Sequence, residues 1–369
     1  MVVGGAGRIG SYAVDFLART PGIDKIWIAD MNEERGQCLA FNSSTGAAFA
    51  GFYPYVHFIK TNVLDEDGVV RVLISTMPDF ILNTTTTFSS YLYIPILTEK
   101  LKEHGLPLRM PAHAIARDLL PLYCLMKSVK RAGLTSPVVN VCFSDVAHPV
   151  LAKVGLYPAV GAGEVASLAQ ALKMNLCHKM SIHVSKMRVL LIAQHALLVT
   201  PPELVPYYAT IQVDEHDLTS KISLNKEIRE AQRLMLKVPE VGASMTASHA
   251  VKLLSAMLND SNELLLAPGA NGMAGCLPVR MNSNGPSIEL PRGLSLQEVE
   301  ALFKKGMNVD GVEKINDDGS IVFSESALRI LRDILGIDRK VLRLSELKEM
   351  NDELLSSYER MNRKTHQNS

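Results

Sequence analysis

The sequence predicts an α/β fold in which a doubly wound parallel sheet is followed by an α+β domain. Strand-like and helix-like segments alternate along the first 150 residues, which is typical of a parallel sheet covered by helices. Beyond Pro149 the segments become longer and less regular. Since 369 residues are enough for about two domains, we expect one domain over 1–150, a second over 151–306 and a mostly helical C-terminal extension over 307–369.

The first strand, Val2-Val3, runs into a glycine-rich turn with the pattern G-x-G-x-x-G, formed by Gly5, Ala6, Gly7, Arg8, Ile9 and Gly10. Such glycines allow a tight turn and a close approach to a pyrophosphate, whose charge is stabilised by the helix that follows. The turn therefore predicts a Rossmann-type dinucleotide-binding domain with Gly5, Gly7, Arg8, Ile9 and Gly10 at the cofactor; a plain turn is the alternative. Because strands usually have about five or six residues, we also expect the natural chain to begin upstream of Met1.

Asp30 ends the second predicted strand and lies 20 positions after Gly10. An acid at this place accepts hydrogen bonds from the adenosine ribose hydroxyls and repels a 2′-phosphate, so it favours NAD over NADP. A helix N-cap or a turn residue is the alternative. Thr84 and Thr85 follow another predicted strand, 80–83, at the carboxyl edge where a nucleotide crevice lies. We expect both at the cofactor; β-propensity and turn chemistry explain them equally well.

Composition narrows the class of protein. The chain has 38 basic and 38 acidic residues, so neither charge balance nor a basic patch predicts a nucleic-acid partner. Its five cysteines show no C-x-x-C pair and no extracellular spacing, and no signal peptide precedes the glycine-rich turn, which predicts a reduced, cytoplasmic protein. The longest apolar stretch, 187–199, is too short to span a membrane. Cys177, His178 and His183 are too sparse to predict a metal site.

Over residues 2–305, the order of several segments resembles that of the lactate/malate dehydrogenase family. In chain order these segments are Arg35-Gly36-Gln37-Cys38-Leu39 after the second strand, Arg109-Met110-Pro111 with Arg117-Asp118-Leu119-Leu120, Gly161-Ala162-Gly163, Gln194-His195-Ala196, Leu277-Pro278-Val279 and the helix over 295–306. Residues 109–111 and 117–120 together resemble the family's mobile active-site loop, R-x-P…R-x-D-L-L. The histidine lies where the family has its catalytic E-H-G.

This resemblance implies hydride transfer between NAD and a small hydroxy compound, in a homodimer or homotetramer whose residues 151–306 form the substrate domain. His195 is then the general base, because a histidine titrates in the required range. Arg117 polarises the carbonyl and Arg109 binds a distal group of the substrate. The alternatives are a satisfied histidine at a strand end and, for Arg117, a surface residue in the first turn of a helix.

The chain departs from the family at the residues that hold the substrate carboxylate. Ser167 and Gln170 occupy the positions of the family's D-x-x-R, whose Asp orients the histidine and whose Arg binds the carboxylate. Residues 142–146 replace its S-N-P-V-D, so Phe143 stands at the asparagine. Glu164 lies one helical turn before Ser167 and is our candidate orienting acid; its alternative role is an acid favoured by the helix dipole. We therefore expect a changed substrate without a carboxylate beside the reacting carbon.

Two functions of other classes stay open. One is a protein that has lost catalysis and retains NAD as a structural or regulatory ligand. The other is an enzyme that uses bound NAD as a redox relay on a sugar-like substrate, which usually needs a metal. Asp145 with His148 form another polar pair near the domain junction, and turn capping is their simpler role.

The C-terminal extension has no counterpart in the family. Asn316-Asp317-Asp318-Gly319 predicts a hairpin turn, and helices are predicted over 324–335 and 342–363. The second helix carries a stripe of apolar residues, namely Leu347, Met350, Leu354 and Tyr358. Such a stripe is typical of a face that packs within the chain or in a dimer.

Overall fold

The computed structural model describes residues 1–90, 93–105, 111–237 and 239–367. In these ranges the chain forms one parallel sheet and two antiparallel sheets. Nowhere in the described ranges is a helix long and apolar enough to cross a membrane. The five cysteines, which all lie in the described ranges, are free thiols.

The first domain is a doubly wound sheet. Its strands are β1 (Val2–Val3), β2 (Lys25–Asp30), β3 (Tyr55–Lys60), β4 (Ile81–Asn83), β5 (Val138–Asn140) and β6 (Val160–Gly161), and its helices are α1 (Arg8–Leu17), α2 (Glu33–Phe49), α3 (Glu66–Thr76), α4 (Ile94–Glu103), α5 (Ile115–Arg131) and α6 (Ser144–Ala152). All neighbouring strands are parallel, in the order β3-β2-β1-β4-β5-β6. The order reverses between β1 and β4, which opens a crevice at their carboxyl ends.

The next segment forms an antiparallel sheet covered by helices. It contains α7 (Glu164–Met180), β7 (Met187–Ala193), α8 (Ala196–Val199), β8 (Tyr207–Val213), β9 (His216–Asp217), α9 (Leu224–Leu236), α10 (Pro239–Leu258), β10 (Glu263–Pro268), β11 (Cys276–Asn282), β12 (Gly285–Ile288) and α11 (Leu296–Val309). The strand order is β10-β11-β7-β8-β9, with β12 on β11. Both sheets together confirm the predicted fold class. The domain boundaries stay predictions; the parallel sheet continues to Gly161.

The extension returns to the first domain. It consists of β13 (Val312–Ile315), β14 (Ile321–Phe323), α12 (Glu325–Arg329), a π-helical turn (Ile330–Leu335), β15 (Val341–Leu342) and α13 (Leu347–Gln367). The predicted hairpin turn closes through Asn316 N–H, which donates to the Ser320 carbonyl at 2.9 Å. The predicted helix over 324–335 is thus α-helical only in its first part.

Two hydrophobic cores join these parts. One combines the inner faces of α3, α4 and α5 with the extension, and it buries the whole apolar stripe of α13. Here the stripe packs within the chain. The other core combines α1 and the parallel sheet with α10 and β11. Each partner of the first domain therefore covers a different side of the parallel sheet, and the carboxyl edge of β4 and β5 lies between them.

Candidate active site

The glycine-rich turn brings α1 unusually close to its own start. A Cβ on Gly10 would lie 2.4 Å from the Gly4 carbonyl oxygen and 2.7 Å from the Gly5 Cα, so only glycine fits there. Gly7 is the N-cap of α1 in an extended conformation, and among the described residues no side chain caps this helix. Exposed Arg8 and half-buried Ile9 occupy the first turn. The free helix start fits a pyrophosphate.

Asp30 stabilises the same turn. Its Oδ2 accepts a hydrogen bond from Ala6 N–H at 3.0 Å, and its Oδ1 accepts one from Asn32 N–H at 2.9 Å. The N-cap of α2 is Asn32, which accepts from Arg35 N–H, so Asp30 is not the cap. Because each carboxylate oxygen has two lone pairs, the side chain retains acceptors for ribose hydroxyls.

Thr84 and Thr85 contact the turn from the end of β4. Thr84 Oγ1 lies 3.0 Å from the Val3 carbonyl oxygen and 2.9 Å from that of Gly4, and Thr85 Oγ1 donates to Asn83 Oδ1 at 2.6 Å. Their hydroxyl protons are used within the protein, so both residues present lone pairs and methyl groups to the crevice. We call residues 4–10 with Asp30, Thr84 and Thr85 the cofactor cradle.

His195 follows β7, and its Nδ1 lies 3.0 Å from Oδ2 of Asp310, the residue directly after α11. The Asp310 side chain is 1% exposed and that of His195 13%. A carboxylate at this distance accepts the Nδ1 proton, which fixes the tautomer and leaves Nε2 for proton transfer. The sequence analysis did not find Asp310; the structure places this acid, rather than Glu164, on the histidine.

The carboxylates near His195 also set its charge. Burial of the ring lowers the pKa of His195, whereas the negative charge of Asp310 and its hydrogen bond raise it. Asp145 and Asp118 raise it further, so that the pKa of His195 lies above its ordinary value. Two further histidines near the site have hydrogen-bond partners: buried His148 bridges Gly269 and Asn140, and half-buried His249 bridges Gly163 and Leu266.

Gly306 allows α11 to approach His195. It lies one helical turn before Asp310, and a Cβ there would be 2.6 Å from the Gln194 Cβ. The Asp310 carbonyl accepts a hydrogen bond from Ala112 N–H at 3.2 Å. Phe143 packs its ring edge-on against His195, with centroids 5.0 Å apart. The aromatic ring thus contacts the histidine from the position at which the family has asparagine.

Asp145 and Glu164 form a buried pair of carboxyl groups. Glu164 Oε1 accepts a hydrogen bond from Ser144 N–H at 2.8 Å, and its backbone has φ +51°, a conformation that costs free energy for any residue except glycine. Burial raises the pKa of Asp145, and burial together with the charge of Asp145 raises the pKa of Glu164. Glu164 therefore holds its proton to higher pH than an ordinary glutamate.

Arg117 lies in the first turn of α5 and is largely enclosed, with 15% of its side chain exposed. Its Nη2 donates to Asp118 Oδ1 at 2.8 Å, and its guanidinium lies 5.7 Å from the centroid of the Tyr93 ring. Burial lowers the pKa of Arg117, but Asp118 and Tyr93 more than offset this, and the group stays charged. The alternative of a surface residue is wrong in this respect. Arg109 lies outside the described residues.

We call Arg117, Asp118, Asp145, Glu164, His195 and Asp310 the histidine cluster. Buried polar atoms without a hydrogen-bond partner among the described residues are concentrated in and beside it: Arg117 Nε, both carboxyl oxygens of Asp145, Glu164 Oε2, Ser167 Oγ, Gln194 Nε2 and Asp310 Oδ1. Native proteins contain few such atoms, and those that persist often mark functional sites. Gln170, at the position of the family's arginine, is exposed. In the described part of the chain, no group of three or more His, Cys, Asp and Glu side chains is arranged to hold a metal.

Comparisons with known proteins agree with this architecture at the level of the fold. No protein-family model matches the chain, and no curated protein matches it by sequence. Among solved structures, the chain is similar to a lactate dehydrogenase from Cryptosporidium parvum complexed with lactic acid and NAD: the TM-score is 0.62, the identity 16%, and the match covers 84% of this chain and 94% of that one.

Two malate dehydrogenases give the same result. The enzyme from Cryptosporidium parvum has a TM-score of 0.60 and 17% identity over 83% of this chain and 94% of its own. The enzyme from Aeropyrum pernix has a TM-score of 0.58 and 14% identity, with the same coverage of both chains. On this evidence the chain has the fold of the malate and lactate dehydrogenases.

Proposed function

We propose that the chain is an NAD-dependent oxidoreductase that transfers hydride between NAD and a hydroxyl-bearing carbon of a small molecule. The observation that carries this proposal is the contact between His195 and Asp310 at 3.0 Å, beside a cradle in which a Cβ on Gly10 would collide with backbone. When bound, NAD accepts or supplies the hydride. The chain's own residues position the substrate and move the hydroxyl proton.

His195 is the general acid and base of this proposal. In the oxidation direction its Nε2 accepts the hydroxyl proton, and the carboxylate of Asp310 stabilises the imidazolium that forms. In the reduction direction the same nitrogen returns the proton. Arg117 polarises the carbonyl oxygen; its buried Nε has no hydrogen-bond partner among the described residues and is therefore a suitable donor.

The charges around His195 favour a substrate without a carboxylate beside the reacting carbon. The exposed Gln170 and the neutral Ser167 replace a charged clamp. The carboxylates of Asp310, Asp145 and Asp118 place negative charge around His195, and like charges repel strongly in a buried setting. We therefore propose a neutral hydroxy compound as substrate and expect lactate and malate to react poorly. NAD is preferred over NADP, because Asp30 repels a 2′-phosphate.

We also propose a homodimer or homotetramer in the cytoplasm. Four aromatic side chains on and after α2 are exposed, namely Phe41 (73%), Phe49 (91%), Tyr53 (80%) and Tyr55 (68%). Large apolar side chains that are this exposed are common at contacts with another chain. The proposed cytoplasmic location rests on the spacing of the five cysteines, which shows no C-x-x-C pair and no extracellular pattern.

A two-stage experiment tests this function. Thermal shift and calorimetry with NAD and NADP measure cofactor binding, and NADH absorbance then measures turnover on a panel of neutral alcohols, polyols and 2-hydroxy acids. We expect NAD binding and turnover on a neutral hydroxy compound. Binding without turnover on any substrate favours a protein that has lost catalysis, substrate conversion without net NADH favours a redox relay, and efficient malate oxidation contradicts the proposed substrate class.

A further inference from the structure

An aromatic stack connects the C-terminal extension with Arg117. Tyr358 of α13 stacks on Tyr93 with ring centroids 4.4 Å apart and an angle of 17° between the planes. The guanidinium of Arg117 lies over the same Tyr93 ring at 5.7 Å. Tyr358 is fully buried, and Phe88 packs edge-on against it at 5.8 Å. The last helix of the chain thus supports the aromatic ring on which the cation rests.

A second path joins the backbone of Arg117 to the same helix. Thr87 N–H donates to the Arg117 carbonyl at 3.1 Å, and the Thr87 hydroxyl donates to Oδ1 of Asn351. Asn351 is buried, at 6% exposure, and lies two helical turns before Tyr358 on α13. Both the side chain and the backbone of Arg117 are therefore held, through one intermediary each, by α13.

The aromatic ring of Tyr358, and not its hydroxyl group, supports the stack. Its hydroxyl is buried and has no hydrogen-bond partner among the described residues. Leaving such a group unpaired costs about 1–3 kcal/mol, so phenylalanine would fill the same space at lower cost. The feature that the stack does provide is a rigid, electron-rich face for a desolvated cation, the arrangement in which a cation–π contact is strongest.

We propose that Tyr358 and Asn351 are positioning residues, through which the C-terminal extension holds Arg117 in its working orientation. This inference rests on the proposed function, in which Arg117 polarises the substrate carbonyl. Arg117 is also paired with Asp118, so the ion pair and the aromatic stack together hold the guanidinium, and loss of the stack leaves the ion pair as the contact that orients it. Through these two residues the C-terminal extension becomes part of the proposed active site.

The test compares Tyr358→Leu, Tyr358→Phe and Asn351→Ala with Leu347→Ala, a control that removes buried side chain from the start of the same helix. We expect Tyr358→Leu to lower kcat by about 100-fold, since small displacements of a catalytic group have effects of this size. KM for NAD should stay within about twofold of the wild type. Tyr358→Phe, which retains the ring, should restore kcat, and Leu347→Ala should lower thermal stability while leaving kcat unchanged below its melting temperature.

A readout independent of activity separates this inference from the proposed function. The Nε–H resonance of Arg117 in a ¹⁵N spectrum, assigned by Arg117→Lys, should shift in Tyr358→Leu and Asn351→Ala and stay in place in Leu347→Ala. If the wild type lacks turnover but the resonance behaves as expected, the proposed function is wrong and the positioning role stands. If the resonance is unchanged, or if kcat follows stability alike in all variants, the positioning role is wrong.

Discussion

The cofactor cradle and the histidine cluster are assembled from the chain in different ways. The cradle uses consecutive residues, 4–10, and its partners lie at the ends of strands that flank β1. The histidine cluster collects side chains from α5, α6, α7, the end of β7 and the end of α11. Local sequence constrains the first closely, because its glycines must avoid their own backbone. The arrangement of the second depends on how distant segments pack, so short-range sequence patterns constrain it less.

The largest expected effect separates these two regions directly. His195→Asn removes the group that exchanges the hydroxyl proton, and we expect kcat to fall about 1,000-fold. NAD affinity should be unchanged, because the cradle contains none of the altered atoms. NADH absorbance measures the first quantity and calorimetry the second. Full activity of this variant on the true substrate would remove His195 from the mechanism.

Asp310→Asn tests whether Asp310, at the end of α11, is the acid that orients His195. We expect kcat to fall by about 100-fold, since the tautomer of His195 is no longer fixed. Because Asp310 raises the pKa of His195, the variant should also move the pH profile. Oxidation needs neutral His195, so the oxidation rate of the wild type rises with pH through the raised pKa, and in the variant this rise should occur at lower pH.

The same pair predicts a pH dependence of stability. A raised pKa in the folded protein stabilises it below the pKa of the unfolded histidine, about 6.5, and this contribution is lost as pH rises through the folded pKa. The difference in the free energy of unfolding between wild type and Asp310→Asn should therefore be largest below about pH 6.5. It should decrease as the pH rises through the pKa of His195 in the folded protein. Urea denaturation at several pH values measures it, and a difference that grows with pH would contradict the assignment.

Gly10→Ala alters the cradle without touching the cluster. The new Cβ would lie 2.4 Å from a backbone oxygen, so the turn must move, and we expect NAD affinity to fall roughly tenfold or more. Gly242→Ala is the matched control, because a Cβ at Gly242 meets nothing within 4 Å. This control sits near the start of α10 and should leave NAD affinity unchanged. Equal effects of both variants would show that the cradle is not the cofactor site.

The smallest effect is expected at Asp30. Asp30→Ala removes the acceptors for ribose hydroxyls and the repulsion of a 2′-phosphate. The ratio of NAD affinity to NADP affinity should therefore fall by about tenfold. Because Asp30 also accepts from Ala6 and Asn32, a modest loss of thermal stability accompanies the change. Equal affinity of the wild type for both cofactors would contradict the proposed preference.

The sequence predicted the parallel sheet and the cradle because both follow from short-range patterns. Glycine spacing locates the turn, and Asp30 ends the second strand, 20 positions after Gly10. The position of His195 after an apolar strand was likewise readable, although its proposed role came from resemblance. The stripe of α13 predicted burial but could not reveal its partner, because a 3.6-residue period reports only that one face is apolar.

Asp310 shows where such reasoning ends. It lies 115 positions from His195, and no local pattern records that a helix end and a strand end meet. One signal was present in the sequence: Ser167 stands where the family has the acid that orients the histidine. Another carboxylate was therefore expected, and Glu164 lies three residues before Ser167. The acid that contacts the imidazole lies four residues after Gly306, whose missing side chain lets α11 approach.

The distance along the chain between His195 and Asp310 also fixes when the protein can first become active. At roughly 5–20 residues per second, a ribosome adds Asp310 about 6 to 23 seconds after His195, given the 115 positions between them. A nascent chain at that stage has its complete nucleotide-binding sheet but an imidazole without its carboxylate. The α5 surface that receives α13 stays uncovered for longer still. The His195–Asp310 pair is therefore completed only after every strand of the parallel sheet has been synthesised, and before the helix that covers α5.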